Sequence, residues 1–204
     1  MYRTVMICAL VLGWAPCSSA QEAWRFRLRP EESRFTVDVG RAGLLKAFGH
    51  DHLIEIRGFR GDVVWQPAAP KSTSIRIEVD AGSLTVVSEG DEEERAQIQA
   101  DMEAKALDVE NHARIDFVSE AITLEDRGGG EYRGRVTGQV TLRGVTKSVT
   151  IPLSLTVSEE RLRAQGEFRI KGTDFGIDPI TAAGGAVKTS DDLKLTFDLV
   201  GARE

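Results

Sequence analysis

In the stretch Ser74-Ile75-Arg76-Ile77-Glu78-Val79-Asp80, apolar and polar side chains alternate at every step. A period of two is that of a β-strand with one face buried and the other in water, because successive side chains point to opposite faces. The same alternation runs through Arg34–Val39, where Phe35, Val37 and Val39 form the apolar set. It returns in Arg135–Leu142, Val149–Val157, Arg161–Ile170 and Asp192–Val200. Further strands are expected at Trp24–Leu28, His52–Val64 and Arg114–Leu124.

Nearly all of these strands carry only one apolar face, which excludes a parallel sheet sandwiched between helices, where strands read as continuous apolar runs. The sheet must curl on itself. An antiparallel sheet of about eight strands that closes into a barrel leaves no exposed edge, and its interior either packs solid or holds one ligand. The fold class expected is therefore all-β, an antiparallel barrel of about eight strands with an apolar interior and one short helix. Inward residues should include Val37, Ile77, Leu153, Phe168 and Phe197, with Arg76, Glu78, Arg163 and Lys194 facing water.

Turn chemistry supports the strand order. Gly144 can turn one hairpin, Gly128-Gly129-Gly130 another, and Ser158-Glu159-Glu160 a third, while Gly172 to Thr189 reads as a long loop. The helix is expected over Glu89–Lys105, with Ser88 and Asp91 at capping-box spacing and acidic residues at its positive end. Ile98, Met102 and Ala106 follow i, i+4 spacing, so one face can rest on the barrel.

Ahead of the strands, Arg3 precedes an apolar run from Val5 to Ala15 and the small-residue site Ser18-Ser19-Ala20. This reads as a secretory signal peptide over residues 1–20, leaving one domain over residues 21–204. The run is shorter than the roughly 20 residues a membrane helix needs, so no stable membrane insertion is expected. Cys17 raises a lipoprotein alternative, although Trp14 and Pro16 suit such a site poorly. Both cysteines, Cys8 and Cys17, fall inside the segment to be removed, so the mature chain has no disulfide framework. The formal charge of the whole chain is −6. Loss of Arg3 makes it −7, which disfavours nucleic acid and anionic lipid surfaces as partners.

Catalytic signatures are lacking: there is no G-x-S-x-G, no G-x-G-x-x-G after a strand and no H-E-x-x-H. Asp191 and Asp192 are neighbours in a strand and should point to opposite faces, as solvated charge beside the strand start. One polar constellation stands out, Gly49-His50-Asp51-His52, which holds two of the three histidines. In an unbulged strand Phe48, His50, His52, Ile54 and Ile56 share the inward face, and Asp51, Leu53, Glu55 and Arg57 the other. Three readings stay open. The imidazoles contact the polar head of a ligand, satisfy backbone groups at the barrel mouth, or bind a metal with His112 as third ligand. The last would make the chain a metal-dependent or acid–base enzyme, with Asp51 or Asp116 in support.

Four stretches also carry a family likeness: Ser33–Val39 leading into Gly58-Phe59-Arg60-Gly61, Ala106–Ile122 with Ile115-Asp116-Phe117, Gly138–Pro152 reading GQVTLRGVTKSVTIP, and Gly172-Thr173-Asp174-Phe175-Gly176-Ile177. Through them the chain resembles the YceI-like family of exported, lipocalin-like, isoprenoid-binding proteins. The resemblance implies a periplasmic barrel whose hydrophobic pocket holds a polyisoprenoid or similar amphiphile, with no catalysis. The chain departs from many relatives at His112-Ala113, where a tyrosine-proline pair is usual. The candidate ligand-binding residues are Phe48, His50, His52, Ile54, Ile56, Phe117, Phe168 and Phe175. The only partner expected is a hydrophobic small molecule, with no cofactor or resident metal.

Overall fold

The computed structural model describes residues 22–42, 51–88, 91–182 and 187–204. The expected signal peptide, with Cys8 and Cys17, and the candidate residues Phe48 and His50 lie outside the described residues. Twelve strand segments follow in chain order: β1 Trp24–Leu28, β2 Arg34–Ala42, β3 His52–Ile56, β4 Phe59–Trp65, β5 Ser74–Asp80, β6 Leu84–Val86, β7 Arg114–Gly128, β8 Glu131–Leu142, β9 Val145–Val157, β10 Arg161–Lys171, β11 Thr181–Ala182 and β12 Val187–Arg203. The described ladders are antiparallel, and they close: β12 pairs with β10 on one side and with both β1 and β2 on the other.

Six of the segments are halves of three broken staves, β1 with β2, β3 with β4 and β5 with β6, so the closed barrel has eight staves. The breaks lie side by side. Pro30–Glu32 and Ala81–Ser83 are single 3-10 turns, and between them the single strand expected over His52–Val64 bends at Arg57-Gly58. Gly58 is required there, because a Cβ would stand 2.6 Å from the Cβ of Ser83, whose hydroxyl accepts the Gly58 amide at 2.8 Å. Such interruptions bend strands and let a sheet curl into a closed wall. The phase of the alternation changes at this break, since Ile54 and Ile56 are buried at even positions and Phe59, Val63 and Trp65 at odd ones.

The C-terminal staves are continuous. Arg143 and Gly144, with φ of 51° and 73°, make the two-residue turn between β8 and β9, and all three glycines of Gly128–Gly130 have positive φ. That geometry matches the right-handed twist of the flanking strands. The expected loop from Gly172 to Thr189 is more ordered than its composition suggests. It holds a 3-10 turn, Gly172–Phe175, and β11, which pairs with the start of β12.

The helix α1 spans Glu92–Asp101 and continues as one π-helical turn, Met102–Leu107. Asp91 is its N-cap, accepting the Glu94 amide at 2.8 Å. The expected Ser88 cap is replaced by another contact: the Ser88 hydroxyl accepts the Leu53 amide of β3 at 3.0 Å and so belongs to the sheet. The edge of β6 that faces away from β3 has no strand beside it, and α1 covers it through one side chain. Gln99 accepts the Val86 amide at 2.9 Å and donates to the Leu84 carbonyl at 2.8 Å, taking the place of a neighbouring strand.

Candidate functional site

Inside the barrel is a cavity of about 320 Å³. Its wall is built from the apolar set of each stave, as the alternation requires: Val37, Ile77, Leu153, Phe168 and Phe197 all line it. Arg76, Glu78, Arg163 and Lys194 do not, and they lie on the other face. Edge-to-face rings make one side of the wall. Phe197 stands 6.4 Å from Phe35 and 6.3 Å from Phe168, and Phe35 stands 6.3 Å from Phe59.

The two ends of the barrel differ. At the end where β1 begins and β12 finishes, Trp65 is 2% exposed and packs on Tyr132 at 5.1 Å, and Phe26 is 1% exposed beneath Trp24. Burial raises the Tyr132 phenol above its ordinary range, and the charge of Asp126 adds to this. The opposite end, where β2, β6 and β10 finish and β3 and β12 begin, carries the polar lining: His52, Asp101, Asp178, Ser190 and Asp191. Ile98, Met102 and Ala106 enter the cavity at this same end, so the i, i+4 stripe of the helix region is a lid-side wall.

Of the sequence-derived candidates, His52, Ile54 and Ile56 line the cavity together from β3, and Phe117 and Phe168 line it from β7 and β10. Asp51 turns the other way and pairs with Arg41 at 2.9 Å, as the parity of an unbulged strand requires. Phe175 stands apart from these. It is 1% exposed in the packed core and is not a lining residue, whereas Ile177, which follows Gly176 at φ 71°, lines the cavity.

His112 does not join His52. It lies 3.7 Å from Asp108 and against Gly144, and it is not a lining residue. Among the described residues, no group of three or more His, Cys, Asp or Glu side chains could hold a metal ion. Asp116 borders the cavity between the inward Ile115 and Phe117.

Asp191 is more than the solvated charge its sequence context suggests. A displaced register between Thr189 and Leu193 breaks the strict alternation of β12. Asp191 accepts both the backbone amide of Thr173 at 2.8 Å and its hydroxyl at 2.9 Å. Those bonds, with the Thr173 amide foremost, hold its carboxyl below the usual carboxylate range. The sequence offered no local signal for this, since eighteen residues separate the partners. The same is true of Asp101 and Asp178, which reach the mouth from the helix and from the loop before β11.

The sequence signature of the YceI-like domain matches residues 26–201. A UPF0312 protein of Pseudomonas putida strain W619 is 29% identical over 203 residues, with 96% of each chain covered. Among solved structures, BcnA of Burkholderia cenocepacia superposes with a TM-score of 0.65 at 21% identity, covering 85% of this chain and 98% of that one. A polyisoprenoid-binding domain from Saccharophagus degradans superposes at 0.63 and 12% identity, covering 88% and 98%.

Proposed function

The chain belongs to the YceI-like domain family, and on that premise we propose that it is an exported, periplasmic carrier holding the tail of an isoprenoid or other amphiphilic lipid, without catalysis. The observation that carries this reading is the cavity itself, apolar along most of its length and polar mainly near one end, with Thr73 and Asp116 the other polar residues along its wall. Each buried methylene contributes roughly 0.8 kcal/mol, so a tail of several units binds tightly with few polar contacts. The fold of the Saccharophagus degradans domain, which is described as binding polyisoprenoid, lends support from a structural neighbour. His52 lies at the polar end, where the head would sit, and Ile54, Ile56, Phe117 and Phe168 belong to the apolar wall that would hold the tail.

Native mass spectrometry of protein purified without detergent, followed by solvent extraction, tests the reading. The expected result is a complex that loses a lipid mass on extraction and regains an alkyl ligand on incubation. Protein that carries nothing and binds no alkyl chain would overturn it. Export is tested on the same sample: cleavage after Ala20 leaves Gln21 as the first residue, whereas retention of Cys17 with added acyl mass would show a membrane-anchored lipoprotein.

A further inference from the structure

Two segments line the cavity without being staves of its closed wall. The helix region contributes Ile98, Met102 and Ala106, and the stretch between β10 and β11 contributes Ile177 and Ile180. Both segments stand at the polar end, whereas Trp65 and Phe26 fill the other. The helix can swing outward without breaking a ladder of the wall, because Gln99 holds it to β6 through side-chain hydrogen bonds.

One side chain bonds to both segments. Arg143, in the turn between β8 and β9, donates from Nη1 to the Gly176 carbonyl at 2.8 Å and to the Lys105 carbonyl at 3.3 Å. Lys105 lies in the last turn of the helix region, where carbonyls have no intrahelical donor. The Arg143 backbone is left-handed, with φ of 51°. Glycine, asparagine and aspartate are the residues that such a hairpin turn favours, and a long side chain there is uncommon. The turn therefore does not account for an arginine at this position, and the two carbonyls do.

We propose that Arg143 is a latch: by tying the Met102–Leu107 turn to Gly176 it holds shut a lid that parts when a ligand enters or leaves. The proposal rests on the carrier reading and adds the route by which the guest passes. Arg143 does not line the cavity, so the latch slows exchange in both directions and contributes little to affinity.

Arg143→Asn tests this, since asparagine suits the left-handed turn and lacks the guanidinium. Stopped-flow mixing with N-phenyl-1-naphthylamine, an uncharged fluorescent probe, gives the entry rate, and dilution of the loaded protein gives the exit rate. Loss of two charge-assisted hydrogen bonds should raise both rates by about tenfold or more, with the dissociation constant moving far less than either. Unchanged rates would overturn the proposal. So would weaker binding that comes from the exit rate alone, which marks a damaged cavity and not a gate. Hydrogen exchange supplies a readout that needs no ligand: the variant should label faster over Met102–Leu107 while the β8 and β9 ladders stay as slow as before, and unchanged labelling of that turn would also overturn the latch. If Arg143→Asn does not fold, Gln99→Leu frees the same helix from β6 and is measured in the same way, with unchanged rates again fatal to the proposal. If the unaltered protein takes up no probe, the carrier reading fails, and hydrogen exchange alone decides on the latch.

Discussion

Asp191 holds Thr173 twice, taking the backbone amide on one carboxylate oxygen at 2.8 Å and the side-chain hydroxyl on the other at 2.9 Å. The clamp ties the turn after β10 to the start of β12 at the mouth. Because the folded carboxyl is held below its unfolded value, near 3.9, its contribution to stability is present above that value. It is lost as pH falls through the folded value. The Thr173 amide resonance is expected to titrate with a midpoint under 3.9 and to lose that titration in Asp191→Ala. A midpoint at or above the ordinary carboxylate range would contradict the clamp.

Across the β10–β12 ladder Gly166 pairs with Phe197. A Cβ at Gly166 would stand 2.6 Å from the Phe197 ring and 2.4 Å from the Pro152 carbonyl oxygen, which is backbone and cannot swing away. Gly166→Val should therefore cost about 1–3 kcal/mol through overpacking. In a chain of this size that lowers the thermal midpoint by roughly 2–10 °C. Calorimetry of the variant checks it, and an unchanged midpoint would mean that both the ring and the Pro152 backbone give way.

The volume of the cavity sets a tail length. The interior, about 320 Å³, is finite, so only a limited length of tail can be enclosed. Affinity along a series of n-alcohols should rise by roughly 0.8 kcal/mol per carbon and then flatten as the chain begins to emerge from the mouth. Isothermal titration locates the break. A rise with no break along the series would show that the cavity does not enclose the tail.

Gln99→Leu removes both hydrogen bonds to β6 while keeping a side chain of similar bulk. Two such bonds contribute about 1–3 kcal/mol together. Denaturant unfolding should show a loss in that range, and hydrogen exchange should show earlier labelling at the Val86 amide. Labelling as slow as in the unaltered protein would mean that water or another group completes the edge.

Much of this architecture was legible because alternation is a local property. Each stave announces its inward set by parity, so Val37, Ile77 and Phe197 could be placed without knowing their neighbours, and His52 followed from the same count. The misplacements share one cause, which is that turns and contacts between distant segments leave no period. Ser88 has the spacing of a helix cap, but the Leu53 amide, 35 residues away, takes its hydroxyl. The carboxylates at the mouth come from a helix, a loop and a displaced stretch of β12, three settings that nothing in the linear order connects.

The ladder that closes the barrel joins β12 to β1 and β2, the last strand to the first. Position along the chain thereby becomes order in time. During synthesis the early staves wait with their apolar faces uncovered until residues near Phe197 and Arg203 arrive to meet Phe35 and Phe26. The interior does not exist as a container until that moment, so nothing can be loaded into it beforehand. A nascent chain lacking β12 would be an open, greasy sheet and a natural client for a chaperone, whereas the finished molecule keeps the same surface to itself.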